Sequence, residues 1–157
     1  MNIEIEKKYL VNQVLWNTIK KDLNFQLIRQ AYLFKDSLKS MRVRIIGNQS
    51  NICLKSRIDD CQRNEFEYDI PLQDAKEIMK LGKLQVHKKR YSYSFDGFLW
   101  EIDEFLSDNQ GLILAEIELD SVEQTFSKPD FITQEVSNDK RYLNEELAEM
   151  PYSTWNQ

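Results

Sequence analysis

Ile3-Glu4-Ile5-Glu6-Lys7-Lys8-Tyr9 opens the chain with charge at every second position. Glu4, Glu6 and Lys8 alternate with Ile3, Ile5 and Tyr9, the period-two pattern of a β-strand with one charged and one apolar face. A single strand of this kind is ordinary at the surface of a sheet. Its meaning depends on whether later strands repeat the pattern.

They do. Arg42 and Arg44 alternate with Met41, Val43 and Ile45, and Lys55 and Arg57 lie opposite Ile52 and Leu54. Glu65, Glu67 and Asp69 alternate with Phe66, Tyr68 and Ile70. Lys88 and Arg90 oppose Tyr91, Tyr93 and Phe95; Glu101 pairs in phase with Asp103, and Glu116 with Glu118. Turns punctuate the series at Asp36-Ser37, Gly47–Asn51, Asp59–Gln62 and Asp96-Gly97, the last a strong hairpin signal. Helices are expected over 13–23, capped by Asn12 with Val14, Leu15, Ile19 and Leu23 buried, and over 72–81, with Leu72, Ala75, Ile78 and Met79 buried. A short helix near 121–127 and a closing helix around 138–149 complete the reading.

Composition narrows the class. The 157 residues suffice for one domain with a real core, and 41% apolar content predicts a folded chain. A formal net charge of −5 argues against a nucleic-acid or anionic-membrane binder. Cys53 and Cys61 are too few for a disulfide framework or a zinc site, and read as thiols of a reducing cytoplasm. No apolar run approaches the ~20 residues of a membrane span. With 4 glycines, the chain has neither a phosphate-binding glycine loop nor a dinucleotide fingerprint, so any phosphate chemistry falls to side chains. A lone His87 and the lack of a G-x-S-x-G motif argue against a Ser-His triad.

About eight strands with charged faces admit two arrangements. Either the apolar faces form a core and the charges meet water, or the charges line a tunnel and the apolar faces pack outward under helices. Charge toward solvent is the default and favours the first. The amphipathic helices need an apolar sheet surface to cover, however, and the charges are sorted by strand into basic pairs (42/44, 55/57, 88/90) and acidic pairs (65/67, 116/118). Sorted signs suit a site that holds a polyanion together with hard cations.

The ordered series resembles a known family. Glu4-Ile5-Glu6-Lys7-Lys8 fits the E-x-E-x-K signature of the CYTH domain, or triphosphate tunnel metalloenzyme, superfamily. The likeness continues through Arg29–Leu33, Arg42–Arg44, Leu54–Ser56, Glu65–Tyr68, Lys88–Tyr91, Glu101–Asp103, Glu116–Glu118 and Asp139–Tyr142, over roughly residues 1 to 147, with Ala31 where relatives often carry glycine. The chain looks like the short bacterial, tripolyphosphatase-like branch. The resemblance implies a mainly β, α+β fold: one domain over residues 1–157, an eight-stranded antiparallel closed tunnel with a charged interior and helices outside. It implies hydrolysis or transfer at a triphosphate with one or two Mg²⁺ or Mn²⁺ ions.

Under this resemblance Lys8, Arg42, Arg44, Lys55 and Arg90 would bind a substrate carrying about four to five negative charges. Lys140 and Arg141 would touch phosphate or cap one tunnel end. Glu4, Glu6, Glu67, Glu116 and Glu118 would hold the metal through hard oxygens. Glu4 or Glu65 would orient or deprotonate the attacking water, and Lys88 and Tyr32 would stabilise the leaving oxygen. Arg29 and Tyr32 are in opposite phase, and Tyr32 is the one expected inside. Arg57, Glu101 and Asp103 read equally as salt-bridge partners in the wall, and Tyr91, Tyr93, Phe66 and Trp100 as packing. The expected partner is a small anionic triphosphate, with no nucleic acid or membrane, in a cytoplasmic monomer or homodimer. Inorganic tripolyphosphate leads as substrate. Nucleoside or thiamine triphosphates, a class IV-type adenylate cyclase reaction and a non-catalytic polyphosphate or nucleotide sensor stay open.

Overall fold

A computed structural model describes residues 2–155. The chain runs β1 (Ile3–Val11), α1 (Gln13–Ile19), β2 (Phe25–Lys35), β3 (Lys39–Ile46), β4 (Gln49–Arg57), β5 (Gln62–Asp69), α2 (Leu72–Met79), β6 (Leu84–Phe95), β7 (Phe98–Phe105), β8 (Ile113–Glu118), β9 (Ile132–Glu135) and α3 (Asn144–Glu149). The sheet order is β5-β4-β3-β2-β6-β7-β8-β1-β9, and β5 also pairs with the start of β1. Eight antiparallel strands therefore close on themselves, which removes the open edges of a flat sheet. Strand β9 joins the far end of β1, with Val11 opposite Ile132. Asp96 and Gly97 both take positive φ (48° and 79°), the backbone that a two-residue hairpin between β6 and β7 requires.

The apolar faces point outward and are covered in part. Trp16 of α1 is fully buried against Tyr91 and Phe131, while Ala75 and Met79 of α2 lie on Ala31, Val43 and Ile45. Gly82 lets the chain after α2 approach that layer: a Cβ there would stand 2.9 Å from Ala31 Cβ and 3.0 Å from the Tyr32 carbonyl oxygen. Among the described residues no helix is long and apolar enough to cross a membrane.

The expectation of a closed tunnel with charge inside holds, against the default arrangement. One end of the barrel nevertheless has a filled interior. Val86 and Leu114 continue inward from Lys88 and Glu116 by the strand period, and Phe105 faces Lys88 across β6 and β7. They form one buried cluster with Leu147 of α3.

Several local expectations need correction. The first helix ends at Ile19 and continues as a 3₁₀ turn over Lys20–Asp22; Trp16 is its buried residue, with Val14 77% and Leu15 43% exposed. Residues 121–127 form a turn and irregular chain instead of a helix, and Phe126 packs edge-on against Tyr9, Phe98 and Trp100 on the outer sheet. The expected helix at 138–149 is a 3₁₀ turn, Lys140–Tyr142, followed by α3, with an extended Leu143 between them. Phe66 is not packed: it is 39% exposed, on a strand that no helix covers.

Candidate active site

The tunnel encloses a cavity of about 240 Å³, lined by strands β1 to β8 and by residues 143–145 ahead of and within α3. Register decides which charges meet there. Lys8 lies opposite Glu116, Lys55 opposite Glu65, Arg90 opposite Asp103, and Arg63 opposite Glu4. Two acidic cross-strand pairs carry like charge instead, Glu6 facing Glu118 and Glu101 facing Glu116, and Arg63 faces Arg57. Like charges directly opposite are destabilising in a sheet, the more so in a confined interior.

The basic side is tightly braced. Asp103, fully buried, accepts Arg90 Nε at 2.7 Å and Nη2 at 2.8 Å and forms an ion pair with Lys88 Nζ at 2.8 Å. Burial would raise the Asp103 carboxyl, but Arg90 and Lys88 hold it far below the usual range. Burial pulls Lys88 down to about 8 against the attraction of Asp103. Arg44 falls to about 10 through burial and the repulsion of Arg42 and Arg90. Glu116 lies 3.4 Å from Lys8 Nζ and 3.7 Å from Arg90 Nη2; burial opposes its ionisation, yet these cations hold it at about 2.

The acidic side is different. Lys55 Nζ donates to Glu4 at 2.9 Å and stands 3.6 Å from Glu65. Neither Glu6 nor Glu118 makes a side-chain hydrogen bond or ion pair with another described residue. Burial, then the charges of Glu116 and Glu4, push the Glu6 carboxyl up to about 7. Burial and the charges of Glu4 and Glu6 raise Glu118 as well. An all-oxygen donor set whose carboxylates repel one another fits a hard divalent cation, which would relieve that repulsion. Glu6 and Glu118, with Glu4 on the same strand as Glu6, offer such oxygens, while the ligand atoms that lie within 4.8 Å of one another among the described residues are those of Cys53, Glu65 and Glu67.

A polar chain joins the two candidate acids. Gln30 Nε2 donates to Tyr32 Oη at 3.0 Å and contacts Asn144 Oδ1 at 3.4 Å, and Asn144 Oδ1 accepts Lys88 Nζ at 2.8 Å. The segment before α3 and the first turn of α3 also meet the site directly: Lys8 Nζ donates to the Tyr142 carbonyl oxygen at 3.0 Å, and Arg63 pairs with Glu145 at 3.3 Å.

Every expected catalytic and metal-holding side chain lines this cavity, as do Lys8, Arg42, Arg44, Lys55 and Arg90. Tyr32 points in, while Arg29 lies on an outer groove beside α2. Two expected phosphate contacts fall elsewhere. Arg141 is exposed and bound to Asp139 at 2.7 Å, because the 3₁₀ turn directs it away from the barrel. Lys140 lines an adjoining cavity. Asp103 is a wall partner and Arg57 pairs with Asp60, while Glu101 joins the cavity lining. Sequence reasoning missed Arg63, which is in phase with Glu65 but was hidden by starting that strand at residue 65. It also missed Gln30, Asn144 and Glu145; Gln30 could have been found two residues before Tyr32.

A closed antiparallel β-tunnel with a charged, strand-sorted interior is the class that fold and cavity define. Comparison with known proteins agrees. The CYTH domain family matches residues 2–151. A protein of Acetivibrio thermocellus named inorganic triphosphatase is 41% identical over 157 residues, 99% of each chain. One of the same name from Nitrosomonas europaea is 33% identical, covering 92% of this chain and 96% of its own. A crystal structure of an inorganic triphosphatase superposes with a TM-score of 0.66 at 33% identity, covering 92% of this chain and 93% of that one. The chain belongs to the CYTH domain family.

Proposed function

We propose that this chain is a divalent-metal-dependent inorganic triphosphatase, cleaving tripolyphosphate with water to pyrophosphate and phosphate. One observation carries the reading: a single cavity sets Lys8, Arg42, Arg44, Lys88 and Arg90 against Glu6 and Glu118, two carboxylates without cationic partners among the described residues. The cations suit a polyanion; the unpaired carboxylates suit a hard metal, where a pure anion-binding sensor would not need them. The relatives named above support the choice of tripolyphosphate.

In this reading Arg42, Arg44 and Arg90 grip phosphate oxygens through charge-assisted hydrogen bonds, and Lys8 adds a point charge. Glu6 and Glu118, with Glu4, would hold Mg²⁺ or Mn²⁺, which when bound would neutralise phosphate oxygens and acidify water. Of Glu4 and Glu65, side by side over Lys55, one accepts the proton of the attacking water and the other orients that water. Attack at a terminal phosphorus forms a P–O bond as the bridging P–O bond breaks. Lys88 and Tyr32 donate to the departing oxygen. A cytoplasmic location fits such a small anionic substrate.

Purified protein would be offered tripolyphosphate, pyrophosphate, ATP, thiamine triphosphate and long-chain polyphosphate with Mg²⁺, Mn²⁺ or Ca²⁺, following phosphate, pyrophosphate and cyclic AMP. Equal phosphate and pyrophosphate from tripolyphosphate with Mg²⁺ or Mn²⁺ is the expected result. No turnover of any triphosphate with any metal would leave a binding protein.

A further inference from the structure

Beyond the active-site cavity, and sharing Ser40, Lys55, Arg63, Leu143 and Glu145 with it, lies a second cavity of about 130 Å³. Its remaining lining includes three cations, Lys39, Arg57 and Lys140, against two carboxylates, Asp36 and Glu146, so cations continue past the segment that closes the tunnel. The partition is polar. Glu145 pairs with Arg63 at 3.3 Å, and the two side chains are only 12% and 14% exposed. Burial opposes a charge on Glu145, but Arg63, its own backbone N–H, Lys8 and Lys55 together lower its carboxyl below the ordinary value. A carboxylate thus stands among cations of the kind that would otherwise take a phosphate. Its helix is anchored independently by Leu147 in the apolar cluster and by Lys35 on Glu146 at 2.9 Å.

Resting on the triphosphatase reading, we propose that Glu145 is a specificity-determining residue that limits chain length. Its charge stops the polyphosphate at the partition and keeps a further phosphate out of the cavity behind it. Neutralising Glu145 while α3 stays in place opens that cavity as a subsite for one more phosphoryl group.

The test compares tripolyphosphate with tetrapolyphosphate in the wild type, Glu145→Gln, Glu145→Asp and, as a control for loosening of α3, Glu149→Gln. Two readouts are taken: kcat/KM with Mg²⁺, and metal-free affinity by titration calorimetry, with thermal melts to verify folding. In Glu145→Gln the tetrapolyphosphate-to-tripolyphosphate ratio is expected to rise at least tenfold in both. Glu145→Asp and Glu149→Gln should keep the wild-type ratio. An unchanged ratio in a folded Glu145→Gln protein overturns the proposal, and so does an equal rise in Glu145→Asp, which would point to packing instead of charge. Failure of the wild type to hydrolyse tripolyphosphate would count against the enzymatic reading, while the calorimetric ratio would still judge the role of Glu145.

Discussion

Replacing Asp103 by Asn tests the brace behind the phosphate-binding face. Asp103 is fully buried and takes three short contacts, two from Arg90 and one from Lys88. Asn keeps the shape but removes the charge, leaving two buried cations to repel each other and an amide donor facing donors. Breaking a buried ion pair from one side costs ~3–5 kcal/mol. At ~2–4 °C per kcal/mol for a chain of this size, the melting temperature should fall by ~6–20 °C at neutral pH. The Asp103 carboxyl is depressed in the fold, so its contribution is complete above the unfolded value near 3.8 and fades as pH falls below it. The gap between wild type and variant should therefore narrow on acidification. Tripolyphosphate without metal should restore more stability to the variant than to the wild type, since the anion replaces the lost charge. Thermal scans across pH, with and without the anion, measure all three effects. A drop under ~2 °C at pH 7 would refute the view that Asp103 carries the charge balance of this wall.

Three further outcomes are expected. With Lys88 drawn down to about 8 by burial, kcat/KM should decline above that pH; Lys88→Arg should flatten that alkaline limb while lowering the rate ~100-fold. The unfolded lysine titrates near 10.5 and holds more protons between the two values, so this group adds stability as pH rises through that window, as denaturant titrations would register. Glu6→Gln should lose ~100-fold or more of metal-dependent turnover and the metal-induced rise in melting temperature, without melting lower than wild type in chelator; wild-type rates would remove Glu6 from the ligand set. Gly82→Ala would force its Cβ onto Ala31 and the Tyr32 carbonyl and should cost ~1–3 kcal/mol in denaturant unfolding, whereas an unchanged midpoint would mean the β2 layer moves freely.

The sequence by itself determined the strands, their alternating faces, the sorting of charge and thirteen of the cavity's side chains, because a strand fixes side-chain direction with a period of two. Periodicity could not say which face turns inward, since alternation looks the same for a filled barrel and a charged tunnel; resemblance supplied that choice. Tertiary structure then divided the interior, with charge along most of the barrel and an apolar cluster around Leu147 at one end. It also brought Asn144 to Lys88 and Glu145 to Arg63 across 56 and 82 residues, and carried Arg141 away from the site. These placements depend on where the chain after β9 docks on the closed barrel, a long-range packing event with no local signature. What only the fold decided is which carboxylates share a wall with cations and which, like Glu6 and Glu118, face each other without a cationic partner among the described residues.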